Sequence, residues 1–237
     1  MADDRLIAAL DVPTRGEAEA LVARLGDSVA YYKVGMELFY ACGGDIVMWL
    51  KEQGKKVFLD LKLHDIPNTT AQGLCSLLRL RPDILNVHTA GGLRMMRAAA
   101  DALHAAAEER GAACPKLIGV TVLTSMDTGD WAGLGHAGTI EDAVLRRARL
   151  AREAGLDGVV ASPQETALIR RTCGADFLVV TPGIRPAGAS RDDQRRVTTP
   201  AEAVRAGASH IVVGRAIYAA EDPRAAAEQV LREMEEI

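Results

Sequence analysis

Residues 58–69 read FLDLKLHDIPNT. The stretch begins as a buried strand, with Phe58, Leu59, Leu61 and Leu63 apolar, yet it carries Asp60, Lys62 and Asp65, with His64 between the last two. Burying an unpaired charge is costly enough that a chain normally avoids it. A strand that is apolar at its start and charged at its end suits a parallel α/β barrel, whose strands pack below and open into a polar mouth at their C-terminal ends. Side chains alternate along a strand, so Asp60 and Lys62, two apart, are expected on one face.

The surrounding chain repeats this design. Short apolar runs ending in polar residues predict strands at about 6–11, 30–35, 57–62, 84–89, 117–123, 158–161, 177–181 and 210–214. Helical spacing of apolar residues predicts helices over 16–25, 93–110, 139–155 and 219–236, with Gly26 and Gly155 as C-terminal caps of the first and third. Eight strands alternating with helices predict a (β/α)8 TIM barrel, a single domain over 1–237, with an open doubly wound sheet as the alternative. No interdomain linker, low-complexity tract or internal repeat interrupts the pattern.

Composition narrows the function. Apolar residues make up 49% of the 237 and charged ones 25%, as in ordinary globular proteins. A net charge of −4 argues against a nucleic-acid surface, which needs a basic excess, but allows a small phosphorylated ligand. The N-terminus MADDRLIAALDVP lacks the basic and apolar regions of a signal peptide, and no apolar run is long enough for a membrane span. Cys42, Cys75, Cys114 and Cys173 are scattered without metal-ligand spacing, which predicts reduced cysteines and a cytoplasmic protein.

On the predicted frame, Asp11 ends strand 1, Lys33 lies near the end of strand 2, and Asp60 and Lys62 end strand 3, with Asp65 just beyond. Only six of the 28 basic residues are lysines, and two of them take these positions. Lysine can give up a proton where arginine cannot, so the choice points to proton transfer. A lone Asp11 reads equally well as a solvated charge, and Asp60 with Lys62 as an internal salt bridge. The full set is harder to explain by stability, since two carboxylates about 4 Å apart repel by roughly 4 kcal/mol at an effective dielectric of 20. His88, at the end of strand 4, and His64 read better as packing or orienting residues than as catalysts.

TPGIRPAG (181–188) follows strand 7 and VVGRAI (212–217) follows strand 8. These are the usual phosphate-binding loops of a barrel, where glycines let backbone N–H groups approach and Arg185 and Arg215 supply forked donors. Between them, 189–200 is polar and long enough to fold over a ligand as a lid, with Gln194 a neutral contact; a plain solvated loop has the same composition.

The chain resembles the orotidine 5′-monophosphate decarboxylases over essentially its whole length, through ALDVP (9–13), YYKVGMELF (31–39), DLKLHDIPNT (60–69), VTVLTSM (120–126), TPGIRP (181–186), DDQRRVTTP (192–200) and IVVGRAI (211–217). The D-x-K-x-x-D pattern is shared with metal-dependent sugar-phosphate decarboxylases and aldolases of the same suprafamily, but those carry a glutamate where this chain has Lys33. The resemblance implies decarboxylation of orotidine 5′-monophosphate to uridine 5′-monophosphate with no metal or organic cofactor, by a homodimer. It implies that Asp60, Lys62 and Asp65 line the substrate carboxylate, Asp65 and Thr69 coming from the partner subunit, with Lys62 the proton donor to C6. Asp11 and Lys33 would hold the ribose, Thr124 the pyrimidine, and Arg185, Gln194, Gly214 and Arg215 the phosphate, with Gln194 reaching towards the base. The alternatives are a metal-dependent sugar-phosphate enzyme on the same barrel and a non-catalytic nucleotide-binding barrel.

Overall fold

The computed structural model describes residues 3–186 and 198–236. Eight strands run β1 (Leu6–Ala9), β2 (Tyr31–Gly35), β3 (Lys56–Leu63), β4 (Ile84–His88), β5 (Lys116–Val120), β6 (Gly158–Val160), β7 (Leu178–Thr181) and β8 (His210–Val213). Every neighbouring pair is parallel, and β1 pairs with both β2 and β8, so the sheet closes into a (β/α)8 barrel. That closure removes the open-sheet alternative.

Helices interleave with the strands: α1 (Arg15–Leu25), α2 (Met36–Cys42), α3 (Asp45–Glu52), α4 (Pro67–Leu77), α5 (Gly92–Glu109), α6 (Thr128–Gly133), α7 (Ile140–Glu153), α8 (Pro163–Cys173), α9 (Pro200–Arg205), α10 (Arg215–Tyr218) and α11 (Pro223–Glu235). Local chemistry sets their ends. Thr14 caps α1 by accepting from the Glu17 N–H, and Gly26 closes it at φ 54°. The helix expected over 219–236 begins four residues later, because Asp222 accepts from the Arg224 and Ala225 N–H groups and Pro223 takes the first helical position. Pro67 likewise takes the first helical position of α4, within FLDLKLHDIPNT, but without a side-chain cap before it. No helix among the described residues is long and apolar enough to cross a membrane.

The alternation of the strands separates two cores. Ile7, Ala9, Tyr31, Phe58, Ile84, Ile118, Val180 and Val212 fill the barrel interior, and the intervening residues pack outward against the helices. Continuing the inward parity carries β1 to Asp11, β2 to Lys33 and β3 to Asp60. The apolar floor thus gives way to charge at one end of the barrel. Two expected positions shift slightly: Lys33 is the middle residue of β2, and Asp11 lies two residues beyond β1, although the Leu10 N–H still bonds the Lys33 carbonyl at 2.9 Å.

Candidate active site

Four charged side chains form a string across the mouth. Lys33 Nζ lies 2.8 Å from Asp11 Oδ1 and 3.6 Å from Asp60 Oδ2, and Lys62 Nζ lies 2.8 Å from Asp60 Oδ1. The signs alternate, so each acid faces a lysine and the repulsion between carboxylates is relieved. Burial works against the charge on Lys33, but Asp11 and Asp60 outweigh it and raise its pKa above the usual lysine value. Burial also opposes charge on Asp60, yet Lys33 and Lys62, with hydrogen bonds from Lys62 and Asn86, hold its carboxyl below the usual carboxylate range. Gly35 leaves room for the string, since a Cβ there would stand 2.9 Å from Lys33 Nζ.

The lowered Asp60 carries a pH signature. Because its folded pKa lies below the ordinary 3.8, its charged form contributes stability that is fully present above that pH and is lost as pH falls through the folded value. Asp60→Asn should therefore leave the pH dependence of the unfolding free energy unchanged above about pH 5 and flatten it below, as read by urea denaturation. Equal acid limbs in the two proteins would show that Asp60 carries no such charge.

Lys62 reaches Asp60 by a route that strict alternation does not describe. Its backbone has φ 51°, in the left-handed region, where a residue with a Cβ is disfavoured by roughly 1–2 kcal/mol. The pairing of β3 with β4 passes from Leu59↔Leu85 to Leu63↔Val87, so three residues, Asp60 to Lys62, stand opposite Asn86 alone. The strand is bulged there, and the extra pair of residues restores the parity of Leu63. Asp60 and Lys62 converge as the sequence predicts, but through a turn in the backbone rather than through the pleat.

Two adjoining cavities open beside the string. One, of about 220 Å³, is lined by Lys33, Asp60 and Lys62 together with Val122, Leu123, Thr124 and Pro182. The second, of about 130 Å³, is lined by Asp11, Lys33, Gly183, Arg185, Gly214 and Arg215. Lys33, Pro182 and Val212 line both, so a ligand could run from one to the other. Gly183, at φ 81°, takes a conformation that a Cβ would disfavour, and Arg185 behind it is buried. Asp65 and Thr69 lie elsewhere: both are exposed, and they line a separate cavity of about 530 Å³ with Met36, Tyr40, His64 and Lys62. His88 is half-buried at the end of β4, its ring 5.5 Å from that of His64. Gln194 and most of the expected lid lie outside the described residues.

A family model described as orotidine 5′-phosphate decarboxylase / HUMPS family matches residues 4–230. The chain belongs to this family. Among its relatives, an orotidine 5′-phosphate decarboxylase of Moorella thermoacetica is 52% identical over 99% of this chain and 93% of that protein. One from Methylobacterium sp. is 49% identical over 98% of this chain and 96% of its own length. The crystal structure of orotidine 5′-phosphate decarboxylase from Lactobacillus acidophilus superposes with a TM-score of 0.86 at 41% identity, covering 98% of this chain and 99% of that one.

Two residues at this family member's mouth escaped the sequence reading. Tyr218, in α10, lines the cavity of Arg185 and Arg215, and burial followed by the nearby Asp11 carboxylate raises its phenol pKa. Asn86 lies fully buried in β4 and hydrogen-bonds both Asp60 and Lys62. A signal for Asn86 was present, since it is the one amide in the apolar run ILNVH and shares the inward parity of Ile84. Tyr218 has no such signal, because an aromatic residue after a glycine-arginine turn reads as packing.

Proposed function

We propose that the chain decarboxylates orotidine 5′-monophosphate to uridine 5′-monophosphate and carbon dioxide, the last step of de novo pyrimidine synthesis, without a metal or organic cofactor. The observation that carries the proposal is the alternating Asp11–Lys33–Asp60–Lys62 string beside a cavity bearing two arginines, in a chain of this family. An ammonium between Asp11 and Asp60 also disfavours a divalent cation there, which weighs against the sugar-phosphate alternative.

The chemistry follows from the charges. The bond between C6 and the carboxyl carbon breaks, and its electron pair stays on C6 in an sp² orbital that the ring stabilises poorly. The Lys62 ammonium stabilises the developing carbanion and then gives it a proton, acting first as electrostatic partner and then as general acid. Asp60, anionic and beside the substrate carboxylate, holds Lys62 charged and disfavours the ground state more than the transition state; preorganised stabilisation by Lys62 is the larger effect. Asp11 and Lys33 take the ribose hydroxyls and Thr124 the pyrimidine. Arg185, Gln194, Gly214 and Arg215 take the phosphate, whose binding energy fixes the reacting end.

Asp65 and Thr69 act in the neighbouring site of a homodimer. Support comes from their position outside the two cavities beside the charged string and from the apolar exposure around them: Tyr40 is 74% exposed, Ile66 66% and Met36 43%. Mixing inactive Asp65→Ala and Lys62→Ala chains in equal amounts should restore about a quarter of wild-type activity, since half the dimers are mixed and each holds one intact site. No recovery would place Asp65 in its own chain's site or outside catalysis. The four free cysteines suit a cytoplasmic enzyme, working as one barrel unit.

The deciding experiment is the fall in ultraviolet absorbance when orotidine 5′-monophosphate is added, with and without a chelator. Turnover unaffected by the chelator is the expected result. An inactive protein that still binds pyrimidine nucleotides would favour a binding role, and chelator-sensitive turnover of a sugar phosphate would favour the metal-dependent alternative.

A further inference from the structure

The fully buried Asn86 side chain lines neither cavity beside the string. Its Oδ1 accepts from the Lys62 N–H at 2.8 Å, and its Nδ2 donates to Asp60 Oδ1 at 2.6 Å. The same Asp60 oxygen receives the Lys62 ammonium at 2.8 Å. One amide therefore closes a ring through the backbone and the side-chain heads of both residues. It does so where the ladder fails, opposite the three bulged residues of β3, and its hydrogen bond satisfies the N–H of the residue at φ 51°. A conformation this disfavoured persists only where its surroundings hold it, and Asn86 supplies that hold from the neighbouring strand.

We propose that Asn86 is a positioning residue for the decarboxylation: it maintains the bulge that turns Lys62 into the mouth and fixes the Asp60 carboxylate against it. The inference rests on the activity proposed above. Packing alone would not need an amide here. A leucine or valine would fill an inward position of a barrel strand, as Ile84 does one turn of the pleat below. Both polar ends of the side chain are used, each on a different member of the reacting pair, which is the arrangement a preorganised site requires.

Asn86→Ala and Asn86→Asp test it together. Asn86→Ala removes both bonds and should lower kcat by about 10²-fold, the scale expected of a displacement near 1 Å, with KM and uridine 5′-monophosphate affinity changed less than about threefold. Asn86→Asp keeps the acceptor for the Lys62 N–H but sets a second carboxyl against Asp60. It can donate to Asp60 only while the two facing carboxyls share a proton, which their repulsion makes them hold more tightly than a lone carboxyl does. Turnover should therefore be retained at low pH and fall as pH rises and that proton leaves, on a limb the wild type lacks there. A merely structural role would lower the melting temperature of both variants and leave their pH profiles alike. Folded Asn86→Ala with kcat within twofold of wild type would overturn the proposal; if that variant does not fold, the absence of that added limb in Asn86→Asp would do the same. Should the wild-type chain lack the decarboxylase activity, that reading fails by itself. A crystal structure of a folded Asn86 variant then decides the positioning role: Lys62 still at positive φ and bonded to Asp60 would refute it.

Discussion

Lys62→Ala should lower kcat by at least about 10⁴-fold while uridine 5′-monophosphate still binds. The magnitude combines two losses, a positioned proton donor at about 10²–10⁴ and an electrostatic partner to the developing charge at about 10²–10³. Both belong to one ammonium, so a single substitution removes them together. The product lacks the carboxylate and makes no demand on the carbanion stabilisation, so its affinity should change little or improve. The Asp60 carboxylate would remain buried beside Lys33, 3.6 Å away, which keeps one counter-charge in the string and favours a folded variant. Turnover within tenfold of wild type, measured by the ultraviolet assay, would remove Lys62 from the mechanism. Loss of product binding along with turnover would instead point to a collapsed mouth, and a crystal structure of the variant would distinguish the two.

Arg215→Ala should weaken uridine 5′-monophosphate binding by about 2–4 kcal/mol, the scale of a lost charge-assisted contact, or about 30- to 800-fold in Kd. Arg215 opens α10 directly after Gly214, and both line the cavity of Arg185. The effect should be confined to phosphate-bearing ligands: uridine, which lacks the phosphate, should bind the variant as weakly as it binds wild type. That control separates a phosphate contact from general damage to the pocket. An unchanged Kd for the nucleotide would sink the phosphate assignment of the second cavity.

Much of the site was legible because it depends on parity. Asp11, Lys33 and Asp60 each continue the inward face of an apolar strand, so their convergence could be read from three short runs of residues. The loops carrying Arg185 and Arg215 were equally plain, since both follow predicted strands and hold glycines. The helices α2, α6, α9 and α10 were not legible, because stretches of four to seven residues carry too few turns to display a period, and the longer α3, α4 and α8 went unread as well. Strand 1 read through to Asp11 and strand 5 to Leu123, whereas the ladder ends at Ala9 and Val120. Beyond Val120 the residues still look like strand, but β4 and β6 end beside it and offer no further ladder, whereas beyond Ala9 the Leu10 N–H still bonds β2 at Lys33.

By itself the sequence determined the alternation of eight strands with helices, the inward parity of its charged residues and the two arginine-bearing loops, because each is set by residue order within a few positions. Only the tertiary structure decided that β8 returns to β1, that the charges alternate in sign across the mouth, and that Lys62 turns on a bulge held by Asn86. Those features rest on pairings between strands distant in the chain. FLDLKLHDIPNT alone could announce a charged strand end, but the amide that shapes it lies 24 residues beyond Lys62, on the next strand.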